Sequence, residues 1–419
     1  MGPRAAAWSQ RGLALAAGLA AGLAHPPFGL ALGVLGYALM LRVTDKAATH
    51  PLRSAFFRGW LAGVGYFGLG VAWITEPFMV DAALYGWMAP FALLLMAGGL
   101  ALFWGLAALA YKAIAPRNAW RILVFAGCLA AGEWLRGHVL TGFPWNLPGE
   151  SWRAGSAPSQ AAALVGVYGL SWLTIFVGAA PALLFDKASR WGKAVPVLSA
   201  AVVLAGLYGF GTARLATSPG DQDVRLRIVQ ANIDQKDKWK PENLQAIFDS
   251  YIALSRAPAA TKPDLIVWPE GALPAVIDEL LAPGSPYVTA LSASLAPEQA
   301  LVMGANRIEP AEGGGYDYFN SLVAFGKAGS GLRVLGFYDK HRLVPFGEFL
   351  PFGDVATRIG VRSLVHMPED FSFGPPPRPL AIADLPLVQP LICYEALFPG
   401  FTREAAARGG ARPTWLLNI

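Results

Sequence analysis

The sequence predicts an α-helical polytopic membrane domain over residues 1–211, joined to an α/β layered domain over residues 212–419. Three observations predict it. Charge is scarce, with 15% of residues charged and 54% hydrophobic, whereas a soluble chain carries about 25% charged residues. The deficit is confined to residues 12–211, which are almost all apolar, Gly or Ala, while the remainder has ordinary soluble composition. In that remainder, β-branched and aromatic runs alternate with helical spacing, the pattern of strands and helices packed in layers.

Seven apolar segments can be drawn, at 12–24, 27–42, 56–75, 87–111, 119–135, 163–185 and 194–211. A span takes about 20 apolar residues. The first two segments are short and predict a tight helical hairpin around His25-Pro26-Pro27. Arg4 and Arg11 ahead of the first segment resemble the start of a signal peptide. A second apolar segment follows at once, which favours a retained helix.

Basic residues alternate between loops. Arg4 and Arg11 precede the first segment; Arg42, Lys46, Arg53 and Arg58 follow the second; Lys112, Arg117 and Arg121 follow the fourth; Lys187, Arg190 and Lys193 follow the sixth. The intervening loops are poor in Lys and Arg. This asymmetry places the N-terminus in the cytoplasm. An odd number of spans then puts residues 212–419 on the outer face, the periplasm of a bacterial inner membrane.

The net charge of +5 and pI near 9.2 follow from those loops. No basic stripe interleaved with aromatics argues for nucleic acid. Of two cysteines, Cys128 sits in an apolar helix and reads as a small hydrophobe, which leaves Cys393 a free thiol. The histidines (His25, His50, His138, His341, His366) are scattered, so neither a metal site nor a cofactor is expected.

Glycines crowd the third segment (Gly59, Gly63, Gly65, Gly68, Gly70) and the fourth (Gly98, Gly99, Gly105). They predict close helix packing or a gap that admits lipid. Glu133 and Arg136 close the fifth segment, and Trp145 and Trp152 follow. Tryptophans at this depth anchor the interface. With Arg136, Trp145 is also a candidate for holding a phospholipid headgroup, while Glu133 and Arg136 are a candidate ion pair.

In the second domain, strands are predicted at 224–233, 264–268, 301–305, 319–325, 332–337, 388–393 and 413–419, with helices at 241–256 and 401–408. Antiparallel pairing is expected within the helix-free stretch 301–343. Three reactive side chains fall near strand ends, where a rigid scaffold presents chemistry. Cys393 ends the strand LVQPLIC and reads as a nucleophile. Glu270, in Trp268-Pro269-Glu270-Gly271, reads as its base. A carboxylate takes a proton from a thiol poorly in water and more readily in a dry pocket. Lys340, in Tyr338-Asp339-Lys340-His341, supplies a fixed positive charge that favours thiolate and oxyanion. Glu348 is a second carboxylate, suited to orient Lys340, in an apolar loop that offers Phe346, Phe349 and Leu350 to a membrane surface. Taken alone, each has a simpler reading as a buried cysteine, a loop carboxylate or a surface lysine.

Together these stretches resemble the nitrilase (carbon–nitrogen hydrolase) superfamily, and more closely the bacterial apolipoprotein N-acyltransferases. The resemblance rests on VQANIDQKDKW at 229–239, WPEGALP at 268–274, YDKHRLVPFGEFLP at 338–351 and ICYEALFP at 392–399. It implies a nitrilase-like αββα sandwich fused to a multi-span membrane domain. It assigns Glu270 as general base, Lys340 as oxyanion-stabilising residue and Cys393 as nucleophile, supported by Glu348, Tyr394 and Glu395. Trp239 aligns with a tryptophan near the mouth of the site. The implied reaction takes an acyl chain from a phospholipid as a Cys thioester. It passes the chain to the α-amine of a diacylglyceryl-cysteine lipoprotein, with the enzyme a monomer in the inner membrane. The chain stops at Ile419 inside an expected core strand, so the sandwich is expected to be incomplete at its C-terminal end. A membrane-tethered amidase or nitrilase-type hydrolase, and an inactive truncated form, remain alternatives.

Overall fold

A computed structural model describes residues 3–47, 50–114, 118–217, 220, 223–350, 353 and 370–419. Arg117, Pro351, His366 and the side chain of Arg4 lie outside that description. The chain divides into two compact units, Met1–Gly220 and Asp221–Ile419.

The first unit is helical. Helix α1 (Pro3–Gly22) turns back into a 3-10 segment and α2 (Gly36–Asp45). The return is close: a Cβ on Gly36 would lie 2.3 Å from the Ala17 carbonyl oxygen. This is the expected hairpin. Helix α3 (Pro51–Gly70) packs on α4 (Ala89–Ile114) in the same way, since a Cβ on Gly63 would meet the Ala101 Cα at 2.8 Å. Gly59, Gly63, Gly65 and Gly70 of α3 are therefore packing surfaces, while Gly68 faces open space. Gly99 of α4 faces open space, and Gly98 meets only Trp60. There a shallow apolar groove of about 480 Å³ opens between Phe56, Trp60 and Leu95. Helices α5 (Arg121–Arg136), α6 (Ala162–Ala179) and α7 (Arg190–Ala216) complete the unit. Among the described residues, Ala82–Ile114, Pro158–Phe185 and Arg190–Ala216 are long and apolar enough to cross a membrane.

The charged groups most deeply buried in this unit are partnered, as an apolar medium requires, while the Ser156 and Tyr168 hydroxyls are buried without a hydrogen-bond partner among the described residues. Arg136 and Glu133 are both fully buried and bound to each other. Glu133 also accepts the Trp104 indole N–H at 2.5 Å, and Arg136 also donates to the Phe143 carbonyl. At the start of α5, Arg121 bridges Asp45 (3.0 Å) and Asp186 (2.6 Å), tying α2 to the segment after α6.

The second unit is built on two sheets. Strands β1 (Leu226–Ile228), β2 (Leu265–Val267), β3 (Ala300–Pro310), β4 (Tyr316–Ala328) and β5 (Gly331–Asp339) lie in that order. The first three are parallel. The pairs β3–β4 and β4–β5 are antiparallel, as the helix-free stretch predicts. Strand β6 (Val388–Leu391) pairs in parallel with β7 (Trp415–Asn418).

Side chains alternate across a strand, so each face of the large sheet meets a different layer. Ile266, Leu301, Met303 and Phe325 pack with α8 (Leu244–Ser255) and α9 (Pro286–Ser294) through Phe248, Tyr251 and Leu291. Leu265, Val267, Val302 and Leu322 pack against Val388, Leu391 and Leu417 of the small sheet and Phe401 of α10 (Phe401–Gly409). The order is helix, sheet, sheet, helix, the expected αββα sandwich. Each buried leucine-sized side chain contributes about 1.5–3 kcal/mol. The two cores thus hold β2, β5 and β6, whose ends carry the reactive residues, in fixed register.

Candidate active site

Glu270 follows β2. The Trp268 N–H donates to the Val302 carbonyl and the Ala272 N–H to that of Gly304, so the turn between them is laced to β3. Gly304 lets that turn come close: a Cβ there would lie 2.5 Å from the Glu270 Cα. Trp268 is fully buried, with its indole N–H on the Ser255 hydroxyl at 2.9 Å.

Lys340 follows β5. Its N–H donates to the Asn320 carbonyl, and its own carbonyl accepts from Gly374. Its side chain is buried. Nζ lies 2.8 Å from Glu348 Oε1 and 3.4 Å from Glu270 Oε1. Asn320, on β4, closes the cluster: its Nδ2 donates to Glu270 Oε1 and Glu348 Oε1, both at 2.7 Å. Glu348 Oε2 accepts the Val344 N–H at 2.8 Å, which folds the apolar loop back onto its own carboxylate. Two carboxylates thus grip one ammonium and one amide. Burial opposes the Lys340 charge, but Glu348 and Glu270 outweigh it and hold the ammonium above the usual lysine range. Lys340 stays charged and does not give up its proton near neutral pH.

Cys393 follows β6. Its N–H donates to the Ile419 carbonyl at 2.8 Å. Its φ is +47°, a left-handed backbone that costs a non-glycine residue about 1–3 kcal/mol and that clusters at functional sites. The residue is exposed, and its thiol lies within electrostatic reach of Glu270, Lys340 and Glu348. Desolvation by the surrounding atoms, then Glu270, push the thiol above its usual range; Lys340 pulls it down without prevailing. A preformed thiolate, the state that Lys340 alone favours, is therefore not the resting state. The site holds a protonated thiol against a carboxylate.

Glu395 ties two of these segments together. It is fully buried. Its Oε1 accepts from the Tyr338 hydroxyl (2.7 Å), the His341 N–H (2.8 Å) and the Arg342 N–H (2.9 Å), and its Oε2 from the Ile392 N–H (3.0 Å). One carboxylate thus pins the turn bearing Cys393 to the loop bearing Lys340.

Residues 17–180 match the family described as the apolipoprotein N-acyltransferase N-terminal domain, and residues 225–412 match the carbon–nitrogen hydrolase family. An apolipoprotein N-acyltransferase of Caulobacter vibrioides is 55% identical over 400 residues, covering 94% of this chain and 74% of the relative. Its counterpart in Allorhizobium ampelinum is 34% identical over 94% of this chain and 75% of the relative. That of Brucella melitensis is 36% identical over 98% and 78%. The chain belongs to the apolipoprotein N-acyltransferase family.

The residues expected in an N-acyltransferase site divide into two groups. Glu270, Lys340, Cys393, Glu348 and Glu395 are brought together by the geometry above. Tyr394 is buried beside them and packs edge-on against Phe398. Trp239 and Phe346 belong to the same unit and are 56% and 60% exposed, large apolar surfaces presented outward. Arg136 and Trp145 lie in the helical unit. Arg136 takes the ion-pair role with Glu133, and Trp145 packs against Trp73 at 4.7 Å. The residue that sequence reasoning missed is Asn320. Its signal was present, since Asn320-Ser321 interrupts the apolar strand at 319–325. Only the pairing of β4 with β5 shows that it meets Lys340.

Proposed function

We propose that Glu270, Lys340 and Cys393 carry out the acyltransferase chemistry of this membrane-embedded, lipoprotein-processing enzyme in two half-reactions. In the first, Glu270 takes the Cys393 proton as sulfur attacks the ester carbonyl of a phospholipid. Lys340 and the Tyr394 backbone N–H stabilise the oxyanion. The carbon–oxygen bond then breaks, and Glu270 returns the proton to the departing glycerol oxygen. The products are a lysophospholipid and an acyl-Cys393 thioester. In the second, the neutral α-amine of a diacylglyceryl-cysteine lipoprotein attacks the thioester carbonyl. Glu270 takes the amine proton, the carbon–sulfur bond breaks, and the thiol is restored. This is ping-pong kinetics.

Glu348 and Asn320 hold Lys340 and Glu270 in place. Exposed Trp239 and Phe346 offer a greasy entrance that keeps water from the thioester. The reading places this unit in the periplasm of a bacterial inner membrane, carried by seven spans with the N-terminus in the cytoplasm, in a monomeric enzyme. The observation that carries it is a thiol within electrostatic reach of Glu270 and of an ammonium that Glu270 and Glu348 hold in place. Intact-mass analysis after incubation with phospholipid tests it. A hydroxylamine-sensitive acyl adduct is expected on Cys393, passed on to an amine-bearing lipopeptide and absent in Cys393→Ala. Undiminished transfer by that variant would end the proposal. An adduct lost to water, with no transfer, would favour the hydrolase alternative.

A further inference from the structure

The clustered groups account for every charge of the triad but leave one cation beside it unexplained. Lys238 ends the one-turn helix Gln235–Lys238. Its Nζ would lie 3.5 Å from a Cβ placed on Gly271, the residue after Glu270. It also lies 5.6 Å from the centre of the exposed Trp239 ring. Lys238 is half-buried. Among the described residues, its ammonium has no hydrogen bond or ion pair. Desolvation pushes it below the ordinary lysine range, with Glu270 acting against that. Two other cations nearby are held in ion pairs. Lys340 is held by Glu348 and Glu270, and Arg307 by Asp339. Arg342 stacks over Phe398, on the turn after Cys393, with its Nε buried and, among the described residues, without a hydrogen-bond partner.

The charge balance says what such a cation serves. Glu270 and Glu348 outnumber Lys340 by one negative charge. A glycerophospholipid brings its ester to Cys393 with a phosphodiester anion a few atoms away, so the triad alone repels it. An ammonium beside an exposed indole matches the donor's boundary between phosphate and apolar chain. We propose that Lys238 is the residue that binds the donor's phosphodiester during acylation of Cys393. The assignment rests on the acyl-transfer reading above. It makes Lys238 a residue of the first half-reaction, because the accepting amine carries no phosphate.

The test uses the full chain in detergent micelles, with acyl-Cys393 followed by intact mass. One donor is a diacylglycerophosphoethanolamine. The other is an uncharged p-nitrophenyl ester of the same fatty acid. A charge-assisted hydrogen bond sets the scale: Lys238→Gln slows acylation by the phospholipid between about tenfold and a hundredfold, and by the uncharged ester under about twofold. Lys238→Arg, which keeps the charge, recovers most of the phospholipid rate. Equal slowing with both donors would assign Lys238 a structural role and overturn the proposal, as would no slowing with either. If the unmodified chain forms no adduct with either donor, the acyl-transfer reading itself fails and the assignment with it.

Discussion

Replacing Glu395 by alanine is expected to disconnect Cys393 from Lys340 without touching either. The carboxylate accepts from one hydroxyl and three backbone N–H groups at a fully buried position. An orphaned buried donor costs about 1–3 kcal/mol, so the four together set a range of about 4–12 kcal/mol. Three of them share one oxygen and their energies do not add, which favours the lower end, about 4–6 kcal/mol. Glu395→Gln discriminates. Its single carbonyl oxygen satisfies most donors at the Oε1 position, while its NH2 faces the Ile392 N–H, at a cost of about 1–3 kcal/mol. Amide hydrogen exchange is the assay. In the alanine variant, His341, Arg342 and Ile392 exchange faster; in the glutamine variant only Ile392 does. Acylation of Cys393 falls in the same order, alanine below glutamine. Unchanged exchange at these three amides in Glu395→Ala, with normal acylation, would refute the reasoning.

Thiol titration gives a second prediction. The Cys393 thiol is pushed up, so alkylation by iodoacetamide rises with pH and has its midpoint above that of a free cysteine. Glu270→Gln lowers the midpoint and Lys340→Met raises it; opposite shifts would reverse the assigned electrostatics. Asn320→Ala removes two hydrogen bonds to carboxylates, worth about 1.5–3 kcal/mol each, and is expected to lower the melting temperature and to slow acylation about tenfold or more. A normal rate would leave Asn320 without a role in the reaction. In the helical unit, Glu133→Ala strands the Arg136 guanidinium and the Trp104 N–H. That costs about 3–5 kcal/mol, read as a lower melting temperature in detergent. The double variant with Arg136→Met recovers part of it, and equal melting of single and double variants would argue against the pair.

Strands were legible because their period is local. Leu265–Val267 is a short apolar run, and Val388–Leu391 is a buried stretch interrupted by Gln389; their ends carry Glu270 and Cys393 within a few residues. Loop signatures made the triad legible too. What the sequence hid depends on register and distance. Asn320 reaches the site because Ser321 lies opposite Asp339, and no local pattern encodes which residue of β5 faces which of β4. The left-handed backbone at Cys393 was equally hidden, since nothing in Ile392-Cys393-Tyr394 disfavours an ordinary turn. For Arg136, a headgroup contact and an ion pair with Glu133 call for the same residue, and only burial separates them.

The sign of the thiol's shift bears on the proposed mechanism as a whole. Lys340 is held charged by two carboxylates and so cannot shuttle a proton. Glu348 spends Oε1 on Lys340 and Asn320 and Oε2 on the Val344 N–H. Glu270 remains, sharing Oε1 with Asn320 and Lys340 and acting electrostatically on the thiol. In the proposed mechanism one carboxylate therefore moves the proton in both half-reactions. A site that stored a thiolate would pay desolvation at rest and expose a reactive anion to water. A site that keeps the proton on sulfur until an ester carbonyl arrives makes attack and proton transfer one event, timed by the substrate. Desolvation, then Glu270, favour the protonated thiol, and the carboxylates of Glu270 and Glu348 repel an anionic donor. In the proposed mechanism a separate cation serves the donor phosphate, and Lys238, beside Gly271 and Trp239, is the residue assigned to it.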